Sequence, residues 1–149
     1  HNSLTKAGFE HYEVSNYALP TYRSRHNSSY WKGVEYLGIG PGAHSFNGEV
    51  RRWCEQRVEE YVDGVVYDSE VLTDADRFNE YVMTSLRCAE GISLDKVEQD
   101  FGSVKRERLE HKATQTDIAE LLVNDNGTLR IAPENMLLSD MVIEALMEL

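Results

Sequence analysis

The chain has 149 residues, of which 41% are apolar, and a formal net charge of -11. That is enough for one cored domain, or for a small domain attached to part of another, and no run approaches the roughly 18 continuous apolar residues of a membrane span. With no basic-then-apolar leader and only two isolated cysteines, Cys54 and Cys88, nothing argues for secretion, and a cytoplasmic protein with packed thiols is expected.

Charge and rings are unevenly placed. Residues 1–54 carry a balance of +2 and residues 55–149 one of -13. The first 54 residues also hold nine of the fourteen Phe, Trp and Tyr residues and four of the five histidines. This shift puts a domain boundary near residue 55. The acidic second part would repel phosphate backbones, so nucleic acid is not expected as a partner.

In chain order, residues 3–7 read as the end of a helix whose beginning is missing, stopped at Gly8, which suggests a fragment. Phe9 to Ala18 reads as one strand ended by Pro20, with Glu13, Ser15 and Asn16 gathered at its C-terminal end. In a parallel α/β barrel that end faces the active site, whereas an edge strand would show the same pattern. His26-Asn27 can open a short helical turn that carries Tyr30 and Trp31. Val34 to Ile39 reads as a second strand, and Glu49 to Trp53 as another, reached through the Asn47-Gly48 turn.

A helix is expected over 56–66, with Val58, Tyr61, Val62 and Val65 on one side, and an extended segment over 67–72. Thr73-Asp74-Ala75-Asp76 resembles a capping box with Asp in place of Glu, opening a helix ended by Gly91, in which Ala75, Phe78, Val82, Leu86 and Ala89 recur at helical spacing. Ser93 starts a shorter helix that stops near Gly102, and a third helix spans about 104–122. Asn124 to Gly127 marks a β-hairpin, and Ser139 caps a last helix whose shared face includes Leu138, Val142, Ala145, Leu146 and Leu149. Three helices, a hairpin and a helix form a winged-helix-like order, which by itself implies no function.

The polar and aromatic window from Arg23 to Phe46 is the place to look for chemistry. Its GIGPGAHS run could bring backbone N–H groups to a ligand or simply make a tight turn, and it has neither G-x-G-x-x-G spacing nor a P-loop lysine. His11, His26 and His44 lack the paired spacing of a zinc site and could equally be hydrogen-bonded structure, so no metal site is assigned. Tyr30 and Trp31 could be core, or a platform for a flat aromatic ligand. Two cysteines cannot hold an iron–sulfur cluster.

GFEHYEVSNYALPTYRSRHNSSYW followed by YLGIGPGAHS resembles the oxygen-independent coproporphyrinogen III oxidase-like family (HemN/HemW) of radical S-adenosylmethionine proteins, and within it the HemW branch of haem chaperones. His26-Asn27-Ser28-Ser29-Tyr30-Trp31 matches that branch's HNxxYW motif, which is proposed to bind haem. The remainder, through LRIAPENMLLSDMVIEALMEL, is similar to the HemN-type C-terminal domain.

The resemblance implies an α+β chain. Residues 1–54 would be the last strands of an incomplete α/β barrel, and residues 55–149 a mostly helical, winged-helix-like domain. It implies haem binding by His26 as axial ligand, Tyr30 and Trp31 as ring contacts and Asn27 as an orienting hydrogen-bonder, with delivery to a recipient haem protein. Gly40, Gly42, Ala43 and His44 would lie toward the S-adenosylmethionine pocket. S-adenosylmethionine and the [4Fe-4S] cluster belong to the full-length protein, because the Cys-x3-Cys-x2-Cys motif is not in this chain, and the fragment alone is expected to have no radical chemistry. The alternatives are part of a coproporphyrinogen III oxidase, or a winged-helix module that binds a protein partner.

Overall fold

A computed structural model describes residues 1–115 and 117–148. Its architecture is α+β, with three small antiparallel sheets among the helices and no closed barrel among the described residues. None of these helices is long and apolar enough to cross a membrane.

The chain opens with α1 (Asn2–Lys6), β1 (Glu10–Glu13) and β2 (Asn16–Ala18). The single strand expected over 9–18 is instead a hairpin with a register shift between His11 and Glu13. Its polar residues make the turn: the Glu13 carboxylate accepts the Ser15 N–H at 3.2 Å, a local bond that competes with continued extension. Next comes α2 (Arg25–Trp31), capped by Ser24, whose hydroxyl accepts the Asn27 N–H at 3.2 Å. The strand expected over 34–39 shrinks to one bridge, in which Tyr36 and Phe46 exchange two hydrogen bonds of 2.9 Å.

A meander of β3 (His44–Phe46), β4 (Val50–Trp53) and β5 (Asp68–Val71) follows, with α3 (Val58–Asp63) between its last two strands. The apolar side expected for α3 is not covered, and Val58 and Val62 are 63% and 78% exposed.

The rest of the chain carries α4 (Asp74–Leu86), β6 (Ile92–Ser93), α5 (Leu94–Phe101), α6 (Ser103–Ala113), β7 (Leu122–Asp125), β8 (Thr128–Ile131) and α7 (Ser139–Leu146). Thr73 and Asp76 form the expected capping box. The Thr73 hydroxyl accepts the Asp76 N–H at 3.1 Å, and the Asp76 carboxylate accepts the Thr73 N–H at 2.9 Å. The short β6 joins the hairpin in a β6-β8-β7 sheet, completing the winged-helix-like unit.

Several helix limits differ from expectation: α3 covers 58–63 of the expected 56–66, and α4 stops at Leu86, short of Gly91. The third helix stops at Ala113 and is followed by a 3-10 turn over Ala119–Leu121. Ser139 does not cap α7; it is its first residue, 3% exposed, preceded by a 3-10 stretch over Pro133–Leu138. Leu149 lies outside the described residues.

The main core belongs to this second part. Phe78, Val82 and Leu86 of α4 pack with Val97 of α5, Leu109 of α6 and Val142 of α7, over the inner face of the hairpin at Leu129 and Ile131. That α4 spacing places three side chains on one helical stripe.

The earlier residues are tied to this core by backbone pairing. Val14 N–H donates to Arg87 O at 2.8 Å and Ala89 N–H to Tyr12 O at 3.1 Å, an antiparallel bridge centred on Glu13 and Cys88. Gly91 then turns at φ 72°, where an added Cβ would stand 2.5 Å from the Leu129 carbonyl oxygen. Phe78→Ala should therefore lose about 3–5 kcal/mol to the cavity, and Gly91→Ala more than about 1 kcal/mol. Urea unfolding midpoints unchanged in both variants would contradict this packing.

Candidate functional site

The 25–31 segment is helical because Ser24 satisfies its first turn, and that helix presents Tyr30 and Trp31 toward α4. Between α2 and α4 lies a cleft of about 990 Å³. Its aromatic wall runs through Tyr30, Tyr36 and Phe46, with ring centroids 4.8 Å apart for the first pair and 6.2 Å for the second. Trp31 also lines the cleft, and its indole N–H is buried without an acceptor among the described residues. Opposite stand Tyr81 and Thr84 of α4, with Cys88 just beyond the helix.

The motif residues divide on this geometry. Tyr30 and Trp31 line the cleft, whereas His26 and Asn27 do not. His26 is exposed, and its ring meets the Tyr30 ring edge-on at 5.1 Å and 82°. It therefore stands beside the wall. The Asn27 backbone N–H is engaged by Ser24, an anchor for the helix start.

The Gly40 to His44 loop also lies outside the cleft lining. Its N–H groups close the loop on itself and its neighbours: Gly42 donates to Cys54 O at 2.6 Å and Ala43 to Gly40 O at 3.2 Å. Gly40 and Gly42 take φ of 108° and 73°, conformations that favour glycine. His44 is exposed and stacks with Trp53 at 6.1 Å. The 26–31 and 40–44 groups thus do not meet in one pocket. Strand β3 links them, with His44 at one end and the cleft residue Phe46 at the other.

The α4 wall was not singled out in the sequence. Arg77, Glu80, Tyr81, Thr84 and Cys88 fall at helical spacing on a face distinct from the buried Phe78, Val82 and Leu86. That second stripe, interrupted by a tyrosine, was the available signal.

Ion pairs hold the cleft's frame. Arg23 bonds Glu10 at 3.0 Å and also pairs with Glu90, while Arg51 reaches from β4 to Glu80 of α4 at 2.6 Å. Burial works against the Arg51 charge, but the Glu80 bond and charge keep its guanidinium above its ordinary value.

Burial pushes the Cys88 thiol up to about 12; Glu90 and Glu13 add to that, while Arg23 and Lys32 oppose it. The group stays a neutral thiol through the physiological range. In a Cys54→Ser background, alkylation of Cys88 by iodoacetamide at pH 8 should run at least about 100-fold slower than that of an unperturbed cysteine. A rate matching free cysteine by mass spectrometry would show that the thiol is not so buried.

Residues 72–138 match the HemN C-terminal domain family. The chain is 30% identical over 145 residues to the heme chaperone HemW of Lactococcus lactis subsp. lactis, covering 95% of this chain and 38% of that protein. It is 32% identical over 151 residues to the heme chaperone HemW of Mycobacterium tuberculosis, covering 97% and 36%. It thus spans under two fifths of the length of these curated relatives. Among solved structures, coproporphyrinogen III oxidase (HemN) from Escherichia coli, described as a radical SAM enzyme, matches with a TM-score of 0.69 over 97% of this chain and 38% of that one. At 18% identity that likeness shows the fold alone. The chain belongs to the oxygen-independent coproporphyrinogen III oxidase-like HemN/HemW family, and it matches a part of those proteins that includes the HemN C-terminal domain.

Proposed function

We propose that this chain is the haem-binding part of a HemW-like radical S-adenosylmethionine protein, which passes haem to a recipient haem protein in the cytoplasm. The observation that carries the reading is the cleft whose wall includes Tyr30 and Trp31 of the HNSSYW helix. Its volume of about 990 Å³ falls in the range of cofactor pockets. Its rings suit a flat macrocycle, since aromatic faces pack best against another π-system. The unpaired Trp31 indole N–H is a donor awaiting an acceptor. Relatives covering nearly all of this chain carry the name heme chaperone HemW.

In this reading Tyr30 and Trp31 contact the ring, and Asn27 helps to orient the ligand. His26 is the candidate axial ligand, as an exposed imidazole packed on the edge of a cleft-wall tyrosine. Haem iron commonly takes a histidine nitrogen from the protein. Gly40, Gly42, Ala43 and His44 sit apart from the cleft, which accords with their assignment to the S-adenosylmethionine side of the whole protein. Residues 1–54 are read as barrel strands and 55–149 as the accessory domain. S-adenosylmethionine and the [4Fe-4S] cluster are assigned to the remainder of the longer protein, since two cysteines do not make a cluster site.

The test is a haem titration followed at the Soret band, with wild type, His26→Ala and Trp31→Ala in parallel. Wild type should saturate near one haem per chain. His26→Ala should shift the band and weaken binding roughly tenfold or more, as second-shell and ligand losses at metal sites commonly do, and Trp31→Ala should weaken it without the same band shift. Identical titrations for all three proteins would remove the site.

A further inference from the structure

The proposed haem cleft has a charge that its rings do not explain. Six cationic side chains line it, Arg23, Arg25, Lys32, Arg51, Arg77 and Lys96, against three acids, Glu80, Glu90 and Asp100. The whole chain carries -11, so a cationic surface here runs against its general balance. Four of the six cations are already committed. Arg23 pairs with Glu10 and Glu90, Arg51 with Glu80, Arg77 with Asp74, and Lys96 with Asp100. Arg25 and Lys32 have no ion-pair partner among the described residues.

These two cations bracket α2. Arg25 is its first residue and Lys32 is its C-cap. Seven positions are close to two full turns, so they share a helix face about 10 Å apart along the axis. Tyr30 and Trp31 lie between them in sequence, and all four side chains line the cleft. One helix therefore offers flat aromatic contact together with two uncommitted positive charges. Lys32 lines the same cleft as Cys88, the residue just beyond α4 on the opposite wall.

From this juxtaposition we infer that Arg25 and Lys32 clamp the carboxylate arms of the ligand, making the cleft selective for a planar macrocycle that carries free carboxylates. The inference rests on the haem reading and deepens it, because the two propionates of haem are the groups the clamp would take. Arg25 presents a planar fork that matches a carboxylate with two parallel hydrogen bonds, and Lys32 adds a point charge at the other end of the helix. An uncharged ester of the same ring would keep the stacking and lose the clamp.

The experiment uses iron-free porphyrins, so that axial ligation plays no part. Protoporphyrin IX and its dimethyl ester are titrated by quenching of protein fluorescence against wild type, Arg25→Gln, Lys32→Gln, the double variant, and Arg130→Gln on the hairpin as a remote control. Wild type should bind the diacid at least tenfold more tightly than the ester. Each cleft substitution should weaken the diacid roughly tenfold, the usual scale for one charge-assisted contact, and leave the ester unchanged. Arg130→Gln should alter neither. Equal wild-type affinity for diacid and ester, with haem still bound, overturns the clamp and leaves the haem reading standing. Failure of wild type to bind haem or either porphyrin overturns both.

Discussion

The cleft depends on one short piece of backbone pairing, the antiparallel bridge between Glu13 and Cys88. Two hydrogen bonds, from Val14 N–H to Arg87 O and from Ala89 N–H to Tyr12 O, fasten the first hairpin to the chain leaving α4. The bridge also fixes Tyr12, only 5% exposed, whose phenol oxygen accepts the N–H of Ser24 at 3.4 Å. Ser24 is the residue that caps α2. Arg23 reinforces the joint, with its guanidinium over the Tyr12 ring at 5.5 Å and its pairs to Glu10 and Glu90. A few polar contacts thereby set where α2 starts and hold its aromatic face opposite α4.

The two walls of the cleft differ in how they are stabilised. Phe78, Val82 and Leu86 anchor α4 in the main core, so its outward stripe stands on a rigid support. No residue of α2 is fully buried, and that helix is placed by its cap, by Arg23 and by the Tyr30–Tyr36 ring contact. A rigid wall facing a lightly held one suits a protein that must take up a large flat ligand and give it away again, because opening then costs few buried contacts. Within the proposed function, α2 is the element whose displacement would release haem.

Charge follows the same division. Most of the chain's negative charge lies after residue 54, yet the cleft draws on residues from both sides of that position and gathers more cations than anions. Arg51 shows how the parts are joined: it sits on β4, pairs with Glu80 on α4, and its guanidinium lies 5.9 Å from the centre of the Phe46 ring. A composition boundary therefore does not divide the cleft, which is assembled across it.

The sequence by itself determined the local elements whose causes are local. The Thr73–Asp76 capping box, the α4 core stripe, the Asn126-Gly127 hairpin turn and the helix carrying Tyr30 and Trp31 depend on neighbours within a few residues, and each was legible there. Other local readings failed where a side chain turned back on its own backbone, as Glu13 does to Ser15, or where burial took Ser139 into the helix it was expected to cap. What only the tertiary structure decided was pairing at long range. Glu13 meets Cys88, Arg51 meets Glu80, and Trp31 and Tyr81 line one cleft, because backbone and charge partners far apart in the chain satisfy one another only after the core has formed. The same geometry separated His26 and the 40–44 loop from the cleft lining, a distinction that motif spacing does not encode.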